Sequence, residues 1–285
     1  MTDTNEHQLI EVGCYASTSI AKSKKWEVEM EHTNNNDSPE SVAIEVSHLT
    51  QGYGKTIVLQ DIDFKVHKGE ILALIGPSGS GKTTLISTIM GMMPAKTGSV
   101  RVLGVSMPNR TELGNIGFMA QNDALYTNLS GLENLKFFAS LQQVNKHQFA
   151  DYAMQAARIV HLENSLKRRV ANYSGGMKRR LSMAIALISN PPVLILDEPT
   201  VGIDPELRRE VWSELHRIAE QGRTIILTTH VMADAAEADT LLMIRQGEVI
   251  AKGSPDTVKQ HYQVTSIEDA FVRAGKEQDA HLSND

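Results

Sequence analysis

Residues Gly76 to Thr84 read GPSGSGKTT, and no other stretch limits the fold so sharply. The apolar run Ile71 to Ile75 precedes it and the helix-prone Leu85 to Met90 follows, the strand, glycine-rich turn and helix order of a phosphate-binding P-loop. Gly76, Pro77, Ser78, Gly79, Ser80 and Gly81 form a cradle whose backbone amides can face an anion, and the positive end of the following helix adds a favourable field. Lys82 supplies a mobile charge for the β- and γ-phosphates. The hydroxyl of Thr83 is placed to ligate magnesium and that of Thr84 to touch the α-phosphate. With ordinary glycine usage such a pattern arises by chance in roughly one chain of this size per hundred.

A chain of 285 residues with 41% apolar content can bury a sizeable core. The longest apolar stretch, Leu181 to Leu196, is broken by Ser189, Asn190, Pro191 and Pro192, so it reads as a helix end and a buried strand rather than a membrane span. No apolar run follows a basic start at the N-terminus, and the single cysteine, Cys14, rules out an internal disulfide; both predict a cytosolic protein. A net charge of -6 offers no electrostatic footprint for nucleic acid, so none is expected as a direct partner.

Residues 1–41 are polar and aperiodic and read as a disordered tail, with Met30 as a second candidate start. Residues 42–253 read as one nucleotide-binding domain. Its first part is a β lobe of short runs, Ala43 to Val46, Ile57 to Leu59 and Ile62 to Val66. After a strand over Gly114 to Met119, a helical subdomain of about 122–190 interrupts the core, with Ser130 and Glu133 forming a capping box. The core resumes at Val193, passes through a helix opened by Asp204 and Pro205, and continues with the strand Thr224 to Thr228. A hairpin follows, turning at Gly247, and residues 254–285 form a helical extension and tail.

The aliphatic strand Val193 to Leu196 ends in two acids. On a strand beside the P-loop, Asp197 would bind magnesium, directly or through water, and Glu198 would act as general base on the attacking water. A second phosphate-reading element is Ser174, Gly175 and Gly176 at the start of a helix, where amides can approach an anion closely. Since the P-loop already serves this chain's own nucleotide, that second element should face another subunit.

In these residues the chain resembles the ATP-binding-cassette (ABC) family, over about Val42 to Gly275. Ser174 to Met177 resemble the family's signature motif, Gln121 its Q-loop glutamine, Val201 to Asp204 its D-loop and His230 its switch histidine. Tyr53, between Gly52 and Gly54, resembles the aromatic that stacks on adenine. The resemblance implies an α/β fold, a P-loop NTPase core with an antiparallel β lobe and a helical insert. It also implies ATP and Mg2+ as cofactors, with Thr83, Gln121 and Asp197 about the metal, and catalysis by Glu198, His230, Gln121 and Lys82. Two such domains, identical or different, would close head to tail, each ATP held by one P-loop and the partner's Ser174, Gly175 and Gly176.

The signature reads YSGGM where many members have LSGGQ, so a glutamine contact is absent at Met177 while the serine and glycines remain. VGIDP after the acidic strand, the DALYTNLSGLENL stretch and Thr265 to Arg273 resemble exporters whose permeases are separate chains. The resemblance thus implies the ATPase subunit of an exporter on the inner face of the cell membrane, joined to an integral-membrane permease along Asn122 to Asn128. The rival reading is a soluble cassette ATPase acting on ribosomes, nucleic acid or protein complexes. Such proteins usually carry two cassettes or a long coiled coil, and this chain shows neither.

Overall fold

The computed structural model describes residues 41–282. The expected N-terminal tail, apart from Ser41, lies outside the described residues. Strands β1 (Val42–Tyr53) and β2 (Thr56–His67) form a long antiparallel hairpin, extended by β4 (Thr97–Val102) and β5 (Val105–Ser106) into a four-stranded sheet of order β2-β1-β4-β5. The short runs read from sequence within β2 are one strand. Its register shifts at Leu49 opposite Ile62, where Asp61 takes a φ of 51°, so the apolar periodicity slips without the strand ending.

The second sheet has the order β10-β9-β3-β8-β7-β6. Its strands are β3 (Ile71–Ile75), β6 (Ile116–Met119), β7 (Val193–Asp197), β8 (Thr224–Thr229), β9 (Thr240–Arg245) and β10 (Glu248–Gly253). Five run parallel and only β10 is antiparallel, paired with β9 through the expected turn at Gly247. β3 and β7 are buried along their whole length, as parallel strands covered on both faces must be.

Alternation within these strands divides the interior in two. Leu72, Leu74, Val193, Ile195 and Ile226 point into a core shared with β1, β2 and the helix α1 (Lys82–Ile89). Ile71, Ala73, Ile75, Leu194, Leu196, Ile225 and Leu227 point into a core shared with the remaining helices. The sheet is therefore the wall between the β lobe and the helical layer.

Between β6 and β7 lie α2 (Gly131–Leu141), α3 (Phe149–Ile159) and α4 (Gly175–Leu187). The Ser130 and Glu133 side chains cap α2 reciprocally. Leu181, Ala184 and Ile185 of α4 belong to the same core as β6 and β7, so this last helix of the insert is packed on the central sheet itself. Asp204 caps α5 (Pro205–Glu220), a four-residue turn, α6 (Met232–Ala235), follows β8, and α7 (Pro255–His261) and α8 (Ile267–Leu282) close the described chain. The helix α8 outruns the weak periodicity that ended near Gly275. Gln278, buried, bonds to Glu248, and Arg245 grips Asp279 with both terminal nitrogens at 2.7 and 3.0 Å. These are pairings across the fold that no local pattern announces.

The β9-β10 turn also ties the two sheets to the P-loop. The Gly247 amide donates to the Ser80 carbonyl at 3.2 Å, and its carbonyl accepts from the Gln60 amide at 2.8 Å. Gly247 has φ 82°, and a Cβ there would lie 2.2 Å from the Val58 carbonyl oxygen. Gly247→Ala is expected to lower stability by at least about 1–3 kcal/mol from the backbone conformation alone. Urea denaturation checks this, and a variant as stable as wild type would show that the contact is not required.

Candidate functional site

Every parallel strand near the middle of the second sheet ends at one rim. The P-loop leaves β3, His230 follows β8, Asp197 and Glu198 end β7, and Gln121 follows β6. Carboxyl ends of parallel strands are where open α/β sheets hold ligands. One placement differs from the sequence reading: β7 is not beside β3. Strand β8 pairs with both, so the acids stand one strand further from the P-loop. That intervening strand supplies Thr228, whose hydroxyl donates to Asp197 Oδ1 in a short hydrogen bond and lies 2.9 Å from the Glu198 amide nitrogen.

A cleft of about 240 Å³ gathers Ser78, Gly79, Gly81, Lys82, Thr83 and Thr84 from the P-loop with Gln121, Asp197 and Glu198 from across the sheet. Gly79 has φ 81°, and the space beside its Cα is open for a close-lying ligand. Gly81 sits at the head of α1, whose first amides face the cleft end of the helix. Gly76 and Pro77 lie beneath, their carbonyls accepting from Lys82 Nζ at 2.7 and 3.0 Å. The Ser80 hydroxyl is buried beside Gly76, where an added Cβ would lie 2.6 Å from it. Burial pushes the Lys82 ammonium below the usual lysine range, opposed first by Glu198 and then by Asp197.

Glu198 reaches Nδ1 of His230 with its Oε1 at 3.0 Å, which joins the ends of β7 and β8 through their side chains. Its backbone has φ 54°, a left-handed conformation that an L-residue adopts only when its surroundings hold it there. Tyr53 stands at the tip of the β1-β2 hairpin, 56% exposed, and is not part of the cleft wall, where Val58 lies instead. Ser174, Gly175 and Gly176 are also outside the cleft. Ser174 caps α4 by accepting from the Met177 amide at 3.2 Å, and Gly176 packs against the backbone of Gly202 in the segment after β7.

The family model for ABC transporters matches residues 59–201, from β2 through the P-loop and the acidic strand. The chain belongs to the ABC transporter family. A Nod factor export ATP-binding protein I of Rhizobium meliloti is 40% identical over 218 residues, covering 75% of this chain and 65% of that protein. A solved ATP-binding subunit of an ABC transporter superposes with a TM-score of 0.75 at 28% identity, covering 82% of this chain and 99% of that one. The dimeric structure of a bacterial ABC transporter cassette gives a TM-score of 0.68 at 25% identity, covering 74% and 98%. Among curated relatives of high similarity, the match spans as little as 34% of the relative's own length and 65% in the Rhizobium protein.

In this ABC cassette two buried polar residues that no sequence motif marks organise the rim. Asp234 accepts from Trp212 Nε1 at 2.9 Å and from the hydroxyl of Thr200, with Thr229 at 3.4 Å, which fastens α5 and α6 to the segments carrying Glu198 and His230. Arg179, on α4, reaches the loops that carry Gln121 and Glu198. A basic run after a helix cap reads as a solvated face, and only the packing of α4 reveals that Arg179 points inward.

Because burial lowers the Lys82 pKa, triphosphate affinity is expected to stay flat at neutral pH. It should then fall as pH rises through that lowered value, before the ordinary lysine range is reached. Calorimetric titration of ATP across alkaline pH checks this against Lys82→Met, which should lack the fall. Wild-type affinity that held flat into the ordinary lysine range would contradict it.

Proposed function

We propose that this chain is the ATP-binding and ATP-hydrolysing subunit of an exporter, working as a dimer of cassettes that drives a separate membrane permease. The observation that carries the reading is the Glu198–His230 pair at 3.0 Å on the rim that also holds Lys82 and Thr83. A carboxylate placed there can take a proton from an attacking water, and a histidine bonded to it can orient that water and reach a γ-phosphate.

The residues present suit Mg-ATP. Gly79 leaves room for phosphate against the backbone, Lys82 is free to leave two carbonyls for phosphate oxygens, and Ser78 to Thr84 surround the site. Thr83, Gln121 and Asp197 offer the oxygen donors a hard cation takes when phosphates complete its shell. When bound, Mg2+ would neutralise charge developing on the phosphates. Tyr53, exposed at the hairpin tip, is free to stack on the base.

Ser174, Gly175 and Gly176 lie outside this chain's own cleft and are solvent-facing enough to meet a second cassette. The dimeric cassette among the structural relatives supports that arrangement. Export is supported by the name of the Rhizobium relative. No helix among the described residues is long and apolar enough to cross a membrane.

The surface for the permease is an exposed aromatic cluster just after Gln121. Tyr126 meets Phe137 edge-on with centroids 4.8 Å apart, and Phe137 meets Phe138 at 5.3 Å. Tyr126 and Phe137 keep 48% and 36% of their surface exposed, while buried Asn134 grips the Tyr126 amide and carbonyl at 2.9 and 3.0 Å. A rigid apolar edge in solvent marks a contact surface.

Glu198→Gln is expected to retain ATP binding, lose turnover by roughly 10²–10⁴, and accumulate an ATP-bound dimer. Steady-state hydrolysis and size-exclusion chromatography with ATP read both, and near-normal hydrolysis would remove Glu198 from its role. Capture of the same variant from native membranes should enrich one multi-span protein. Enrichment of ribosomal or other soluble complexes in its place would transfer the chain to the rival class.

A further inference from the structure

Arg179 is 6% exposed, and its guanidinium is placed among backbone oxygens rather than against a close carboxylate. Nη1 donates to the Ala120 and Gln121 carbonyls at 2.9 and 2.7 Å. Nη2 donates to the carbonyls of Asp197, in a short bond, and Glu198, at 2.9 Å, and Nε donates to Glu198 at 3.2 Å. The five N–H groups of an arginine are thereby all directed at the ends of β6 and β7. Asp123 Oδ1, 3.5 Å from Nη1, is the nearest carboxylate, and it is held in turn by the Ser182 hydroxyl at 2.7 Å from the next turn of α4.

The Glu198 peptide is consequently gripped from both sides. Thr228 faces its amide and Arg179 takes its carbonyl, on a residue whose φ of 54° needs such support. The carboxylate that meets His230 projects from this backbone, so its aim is set by the peptide plane that Arg179 holds. Lysine cannot replace this fork, since an ammonium has three donors around one nitrogen and cannot reach two strand ends in a plane.

We propose that Arg179 is a positioning residue for ATP hydrolysis: by clamping the carbonyls at the ends of β6 and β7 it fixes Glu198 in register with His230. The proposal rests on the reading of Glu198 as general base. Arg179 sits on the same rigid helix as Ser174, Gly175 and Gly176, one turn beyond them, so the segment that would meet a partner's nucleotide is directly fastened to this chain's own catalytic rim.

The test is a double-mutant cycle on the full chain, with kcat for ATP hydrolysis, ATP affinity by calorimetry and thermal denaturation measured for Arg179→Lys, Glu198→Gln and the pair. Arg179→Lys is expected to stay folded, bind ATP within about threefold of wild type, and lose kcat by up to about 10²-fold, the penalty for displacing a catalytic group by about 1 Å. In the Glu198→Gln background the same substitution should change the residual rate by less than about twofold, because a residue acting through Glu198 has nothing left to position. A merely structural role would instead repeat the same loss in both backgrounds and overturn the proposal, as would an Arg179→Lys kcat equal to wild type. Should Arg179→Lys fail to fold, Arg179→Gln takes its place in the cycle, and failure of both to fold would mark Arg179 as structural and equally overturn it. Normal hydrolysis by Glu198→Gln would instead refute the general-base reading, a result separate from any outcome at Arg179.

Discussion

Parallel strands covered on both faces have no solvent-facing side, so the polar groups of β3, β6, β7 and β8 can emerge only where the strands end. All four ends with chemistry in them lie on one rim, and the register of the sheet decides how far apart they stand. The placement of Lys82, Gln121, Glu198 and His230 in one neighbourhood follows from that constraint. Loops alone would not hold them to a fraction of an ångström. The aliphatic cores on either side of the sheet keep the strands from shifting, and in that sense Leu72, Ile195 and Ile226 serve the site without touching it.

What the sheet begins, a small number of buried polar side chains completes. Thr228 ties Asp197 and Glu198 to β8, Asp234 ties α5 and α6 to the segments behind the rim, and Asn134 fixes the edge at Tyr126. Each bonds backbone or neighbouring side chains through nearly all its polar atoms, which is the condition for burying such groups at little penalty. Arg179 is the most connected of them. Through Arg179 the first turns of α4 are bonded directly to the backbone at Gln121 and Glu198.

Much of this was readable in advance because the information is local. A glycine run before a helix, an aliphatic strand ending in two acids, Ser130 with Glu133, and Asp204 with Pro205 each specify backbone geometry within a few residues. The unread parts depend on partners far along the chain. The strands β4 and β5 carry little apolar periodicity and exist because β1 pairs with β4 and β4 with β5, and α8 extends past Gly275 because Arg245 and Glu248 receive its last turns. The placing of β7 beside β3 failed for the same reason: strand order is a property of the sheet, and β8 arrives more than two dozen residues after β7 to occupy the gap.

The amino-acid order by itself marked the phosphate-binding turn, a loop of glycines followed by Lys82 and Thr83, and an aliphatic strand ending in Asp197 and Glu198. Residue chemistry and spacing are local quantities, and a phosphate-binding turn needs nothing beyond them. The tertiary structure alone decided how these groups stand to one another. It inserted β8 between the P-loop and the acids, turned Arg179 inward to hold the Glu198 carbonyl, and directed Ser174 to Gly176 away from the cleft. Those outcomes depend on strand order and on the burial of α4 against the sheet, which are set by packing among residues tens of positions apart.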